Sequence, residues 1–154
     1  MDLRSILKST KVGEVVLTHV PEVGLDATLA EAAEAMRKTR HGSALVCESG
    51  QLVGIVTERD ILHVVGRGES LAQPVEGVMT RSPECTTADA NLSDAIEAMD
   101  KGGYRRLPVV DGNRHVLGIV DVKTATHFLV QHFPSAVYNQ ASQTSLIARN
   151  REGA

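Results

Sequence analysis

The stretch that decides the fold is LVGIVTERD at residues 52–60. Its first half is apolar and rich in β-branched residues, which favours a buried strand. Its second half opens with Thr57 and carries acidic residues, which is typical of the first turn of a helix. A related stretch, VLGIV, occupies residues 116–120. A strand-to-helix junction of the same kind is therefore predicted twice in the chain.

The two junctions belong to a longer internal duplication. Residues 14–22 align with 76–84, and residues 26–38 align with 89–101. Each copy alone is too small to bury a good core, so the copies are expected to pack face to face with pseudo-twofold symmetry. Glycine, serine and proline mark a linker before residue 75. We expect a first repeat with an N-terminal helix and the linker at 1–74, a second repeat at 75–133 and a tail at 134–154.

The pattern within each repeat predicts strand, helix, strand, strand and helix, an α/β (α+β) class of fold. In repeat one, Thr28 and Glu31 have the spacing of a capping box at the start of the first helix. Asn91 and Asp94 are expected to play the same roles in repeat two. The turn Asp111-Gly112 predicts a β-hairpin.

The composition argues against several classes of protein. The 154 residues carry a formal net charge of -3, without the basic stripe typical of nucleic-acid binding. No apolar run is long enough to cross a membrane, and the start does not resemble a signal peptide, so we predict a cytoplasmic protein. Cys47 and Cys85 lack the spacing of a metal site or an evident disulfide. No catalytic residue and no metal ligand is predicted.

The junction at Thr57 carries the only pattern that suggests ligand chemistry. Gly54 allows close backbone approach, and a threonine hydroxyl at a helix N-terminus can bond a phosphate oxygen. Asp60, one turn later, can accept hydrogen bonds from a pair of vicinal hydroxyls, as acidic residues do in dinucleotide sites. Thr57 and Asp60 are equally a capping pair that needs no ligand. The residues alone leave both interpretations open.

The duplicated unit, the string LVGIVTERD and the string RLPVVD at residues 106–111 resemble the cystathionine-beta-synthase (CBS) domain family. The resemblance covers about residues 8–133. It implies a pair of CBS repeats that binds AMP, ADP, ATP or S-adenosylmethionine in the cleft between them. It also implies a homodimer and a regulated partner protein of unknown identity, with no nucleic acid and no membrane as partner.

The resemblance also implies roles for individual residues. Thr57 would contact phosphate and Asp60 the ribose hydroxyls, with Arg59 between them in the same string. A backbone loop would edge the adenine, and two basic residues would contact phosphate, Arg106 being the stronger candidate. Arg106 aligns with Ser43 of repeat one. The residues of the loop and the basic pair are Val20, Pro21, Glu22, Val23, Arg105 and Arg106.

Repeat two departs from the pattern, because Asp121 and Thr124 stand where Thr57 and Asp60 stand in repeat one. An aspartate would repel phosphate, so one nucleotide per chain is predicted. The sequence thus predicts a non-catalytic regulatory module that senses an adenine nucleotide. The alternatives are a structural dimerisation or interaction module without nucleotide, and a sensor of S-adenosylmethionine.

Overall fold

The computed structural model describes residues 2–152, with side chains for residues 2–143. Along the chain, each repeat has the predicted order of elements. Repeat one contains β1 (Glu22–Val23), α2 (Leu29–Thr39), β2 (Ser43–Glu48), β3 (Gln51–Thr57) and α3 (Glu58–Gly66), after α1 (Leu3–Ser9). Repeat two contains β4 (Thr80–Arg81), α4 (Leu92–Gly102), β5 (Arg106–Val110), β6 (Val116–Asp121) and α5 (Val122–His132), before α6 (Pro134–Glu152). The predicted α/β class is confirmed.

The chain divides into two compact units that do not coincide with the repeats along the sequence. The first unit comprises the residues up to Leu17, Ala88–Leu107 and the residues from Val120 on. The second unit comprises Thr18–Thr87 and Pro108–Ile119. Each unit therefore draws on both repeats. This division does not test the repeat boundaries predicted at 1–74, 75–133 and 134–154. Those boundaries stay a prediction.

The second unit is built on a sheet with the strand order β1-β2-β3-β4. Strand β1 runs parallel to β2, and the pairs β2–β3 and β3–β4 are antiparallel. One face of this sheet buries an aliphatic cluster with α2 and α3 that includes Leu29, Met36, Val46 and Val56. The other face buries Leu45, Leu52, Val110 and Ile119. Burial on both faces explains why these strands are near-continuous apolar runs.

The first unit is mainly helical. Helix α1 buries Ile6, and the backbone that follows it bonds to the segment before α4, with Val12 N donating to Ala90 O at 2.9 Å and Leu92 N donating to Thr10 O at 2.8 Å. Helix α4 buries Leu92 and Met99. Within the described residues, no helix combines the length and the apolar character needed to cross a membrane.

Two local expectations meet a different outcome, and the segment named as a tail is helical. Thr28 caps α2 as predicted, but the side chain of Asn91 does not cap α4, because its amide oxygen accepts a 2.8 Å hydrogen bond from Lys11 Nζ instead. The space beside Gly54 is filled by Met79, whose sulfur lies 2.3 Å from the position that a Cβ would take. Residues after Pro134, which have no helical apolar period, form α6.

Candidate functional site

The candidate site is the junction where β3 ends at Thr57 and α3 begins at Glu58. A reciprocal capping box holds the junction: Thr57 N donates to Asp60 Oδ2 at 2.8 Å, and Asp60 N donates to Thr57 Oγ1 at 3.3 Å. Both side chains are partly buried, while Arg59 between them is exposed. The capping interpretation of this pair is therefore correct as a description of the local structure.

The third bond of the junction fixes where the hydroxyl proton points. Thr57 Oγ1 and Asp60 Oδ2 lie 3.0 Å apart. An ionised carboxylate only accepts hydrogen bonds, so the threonine hydroxyl donates in this pair. Both bonds that Asp60 accepts end on Oδ2, which leaves Oδ1 as an acceptor for a ligand hydroxyl.

Ser43 lies beside this junction and carries an unsatisfied polar group. It is the first residue of β2 and the register partner of Thr57, so the two side chains lie on the same face of the sheet. Ser43 is fully buried, and its Oγ has no hydrogen-bond partner among the described residues. Buried hydroxyls are nearly always bonded, so an orphan of this kind indicates a group that is supplied from elsewhere. The only sequence signal for Ser43 is its alignment with Arg106.

The predicted adenine loop lies one strand further away. Leu45 N donates to Pro21 O at 2.9 Å, and Glu22 and Val23 form β1 alongside β2. Strand β2 thus separates Val20, Pro21, Glu22 and Val23 from β3 and Thr57. The loop and the junction belong to the same sheet, but their strands, β1 and β3, are not adjacent.

Glu22 also contacts a thiol on this sheet. Cys47 Sγ lies 3.5 Å from Glu22 Oε1. Burial, together with the neighbouring negative charge of Glu22 and this hydrogen bond, raises the pKa of Cys47 to about 12. The Cys47 thiol is therefore protonated and unreactive at neutral pH. It acts as a weak donor that holds the Glu22 carboxylate.

The other neighbour of β3 is β4, with Thr80 opposite Ile55 and Arg81 opposite Gly54. No pattern in the sequence predicts this pairing. The only sequence signal for a close neighbour at this point is Gly54, because a glycine inside a strand often marks the close approach of another group. Here that group is the Met79 side chain, directly before β4.

The two predicted arginines and the second junction belong to the first unit. Arg106 opens β5, and both Arg105 and Arg106 are exposed. At the start of α5, Asp121 Oδ1 accepts from Thr124 N at 2.7 Å, and Thr124 Oγ1 accepts from Asp121 N at 3.1 Å. This is a capping box with the two residue types exchanged. It places the carboxylate at the N-cap, where it already compensates the positive end of the helix.

No cluster of three or more histidine, cysteine, aspartate or glutamate side chains that could hold a metal ion occurs in the part of the chain that the structure describes.

Comparison with known proteins places the chain among relatives with the same duplication. The model of the CBS domain family matches residues 12–67 and again residues 75–130. An uncharacterised 17.7 kDa protein of Acidianus ambivalens is 35% identical over 123 residues, which cover 79% of this chain and 74% of that protein. Other relatives at 37% identity are longer proteins, of which the chain spans 41% or less.

Solved structures agree on the fold. The CBS domain pair of protein MJ0100, in complex with 5'-methylthioadenosine and S-adenosyl-L-methionine, has a TM-score of 0.70 at 25% identity over 78% of this chain and 95% of its own. A CBS domain protein of Pyrobaculum aerophilum complexed with AMP has a TM-score of 0.71 at 22% identity over 86% of this chain and 98% of its own. The second likeness is one of fold alone.

Proposed function

The chain belongs to the CBS domain family, and we propose that it is a non-catalytic regulatory module that binds an adenine nucleotide or S-adenosylmethionine at the junction of Thr57 and Asp60. The buried, unpartnered hydroxyl of Ser43 beside Thr57 is the observation that carries this proposal. A buried polar group left unpaired costs about 1–3 kcal/mol, and a ligand that bonds it recovers that cost.

Asp60 is proposed to hold the ribose. Its Oδ1 accepts from the vicinal hydroxyls while Oδ2 keeps the cap of α3. The ligand thus adds to the capping box without dismantling it. An acidic side chain that binds a ribose diol is an established device in nucleotide sites.

Thr57 is proposed to contact phosphate, which requires its hydroxyl to turn away from Asp60. The bond that it gives up, to the Asp60 carboxylate, and the bond that it forms, to a phosphate oxygen, are both charge-assisted. The exchange by itself is therefore close to neutral, and the free helix N-terminus beside Thr57 supplies the added attraction for a phosphate. The roles of Arg106, and more weakly Arg105, as basic residues that contact a phosphate stay predictions. Val20, Pro21, Glu22 and Val23 are the proposed adenine loop.

One ligand per chain is proposed, because Asp121 places a carboxylate at the phosphate position of the second junction. The homodimer, the regulated partner and the cytoplasmic location remain predictions. For a ligand to regulate, it must bind two conformations of the module with different affinities.

The test compares two junctions that cap their helices in equivalent ways. Asp60→Ala and Thr124→Ala should each lower stability by about 1 kcal/mol or less, because each removes the third helical residue's side chain, which accepts from the N-cap backbone N–H. Only Asp60→Ala should abolish binding. The measurement is isothermal titration calorimetry of dialysed protein with AMP, ADP, ATP and S-adenosylmethionine, each variant being checked for fold by circular dichroism. Equal loss of binding in both variants, or two equivalent tight sites per chain, contradicts the assignment.

The alternative is an interaction module without nucleotide. It is favoured by the fact that Thr57 and Asp60 already satisfy each other. If none of the four ligands binds to protein shown to be free of ligand, the capping pair is only a capping pair.

A further inference from the structure

A second pocket of about 460 Å³ lies in the same unit, and neither Thr57 nor Asp60 lines it. It lies at the turn end of the β2–β3 hairpin, whereas α3 begins at the opposite end of β3. Its apolar walls include Leu25, Val53 and Met79. The lining also includes four charged side chains: Glu48, Glu76, Arg81 and Arg114.

Arg114 is held in place without a neutralising partner. Its backbone has the left-handed φ of 63°, Leu52 N donates to its carbonyl at 2.9 Å, and its Nε and Nη2 donate to Leu52 O at 3.3 and 3.2 Å. Two of the five guanidinium N–H groups are thus used on one neutral carbonyl. Among the described side chains, no carboxylate forms an ion pair with Arg114.

Of the other three charged side chains, two form an ion pair and one does not. Arg81 Nη2 lies 3.5 Å from Glu76 Oε1, so these two side chains compensate each other. Glu48, at the end of β2, forms no ion pair among the described side chains. The pocket therefore presents one unpaired positive charge, on Arg114, and one unpaired negative charge, on Glu48, which form no ion pair with each other.

We propose that this pocket binds a free α-amino acid with an apolar side chain. Its carboxylate would pair with Arg114, and the planar guanidinium fork suits such an acceptor. Its ammonium group would pair with Glu48. Its side chain would lie against Leu25, Val53 and Met79. Arg114 and Glu48 are both exposed, and a zwitterion is favoured because it forms a charge-assisted bond with each of them, whereas a ligand with a single charge forms only one.

The test titrates ¹⁵N-labelled full-length protein with L-leucine and L-methionine and follows the backbone amide shifts. Saturable shifts at residues 48–53 and 76–82 are expected. N-acetyl-L-methionine and L-methioninamide, which each lack one charge, should bind at least tenfold more weakly. Glu48→Gln should weaken amino acid binding by at least tenfold, while Glu84→Gln, an exposed glutamate outside the pocket, should leave it unchanged.

Arg114→Gln is the complementary variant, but it also removes the bonds to Leu52 and can loosen the hairpin. Arg114→Lys keeps the charge and should restore part of the affinity that the glutamine variant loses. The proposal is overturned if pocket amides show no saturable shift at millimolar amino acid, or if the acetylated and amidated ligands bind as well as the zwitterion. These readouts do not involve adenine ligands, so they are independent of the proposed function.

Discussion

Gly54→Ala tests whether Met79 is the reason for a glycine inside β3. The new Cβ would lie 2.3 Å from Met79 Sδ, 3.0 Å from Cγ and 3.2 Å from Cε. Unbonded heavy atoms prefer separations of about 3.5–4.0 Å, so the sulfur must move by more than about 1 Å. Met79 is 7% exposed and packs in the cluster under α2 and α3, and it can yield only in part, toward the pocket that it lines.

The expected cost follows from two opposing effects. Overpacking of a core costs about 1–3 kcal/mol, and the flexible methionine puts this case in the lower half of that range. Alanine also has less conformational freedom than glycine in the unfolded chain, which stabilises the folded state by about 0.4–1 kcal/mol. This gain applies here because Gly54 does not have a left-handed φ, so alanine can adopt its backbone conformation. We expect a net loss of up to about 1.6 kcal/mol in the free energy of unfolding, with the melting temperature falling by about 2–4 °C per kcal/mol.

The assay is urea denaturation followed by far-UV circular dichroism, since the chain has no tryptophan to report unfolding by fluorescence. Met79→Ala removes all three clashing atoms, so Gly54→Ala should be neutral or stabilising in that background. The double-mutant cycle should therefore give a favourable coupling of about 1 kcal/mol or more. A stabilising Gly54→Ala in the wild-type background, or a double-mutant cycle without coupling, would refute the argument that Met79 requires this glycine.

Three further outcomes are expected. Thr28→Ala should lower stability by about 1 kcal/mol because its side chain caps α2, whereas Asn91→Ala should cost less than half of that; urea denaturation of the two side by side checks the difference. The rate of alkylation of Cys47, followed by peptide mass spectrometry, should still rise with pH at pH 10, because the pKa of this thiol is raised to about 12. Glu22→Gln removes a neighbouring negative charge and should therefore speed the alkylation of Cys47 at a given pH below 10. Ser43→Ala removes an unpaired buried hydroxyl, so stability without ligand should not fall while binding of the adenine ligand weakens; a loss above about 1 kcal/mol would contradict the orphan state of that hydroxyl.

The order of elements in each repeat could be predicted because it depends on local signals. Helix α2 has a capping residue followed by apolar residues at helical spacing, and α3 and α5 begin where apolar runs give way to Thr57 and Asp121. The hairpins follow from turn residues between β-branched runs. Each of these signals involves residues that are close together along the chain, so it can be read from the sequence without knowing the tertiary structure.

The contacts around the candidate site could not be predicted to the same extent. The position of Met79 against Gly54 and the pairing of β4 with β3 depend on which distant segments meet, and spacing along the chain does not encode this. Asn91 illustrates a competing bond: it has the right residue type for a cap, but Lys11, distant in sequence, takes its amide oxygen. The unsatisfied state of Ser43 appears only once its surroundings are known.

The interleaving of the two repeats in each compact unit has a consequence for any attempt to split the protein. A cut in the linker between Gly66 and Pro74 would release two fragments. Neither would contain all the strands of the four-stranded sheet, since β4 comes from repeat two and the other three strands come from repeat one. The separate fragments should therefore be poorly structured on their own and should regain order when mixed. The chain therefore suits fragment complementation, in which the extent of reassociation of the two fragments reports on any ligand or substitution that stabilises the intact fold.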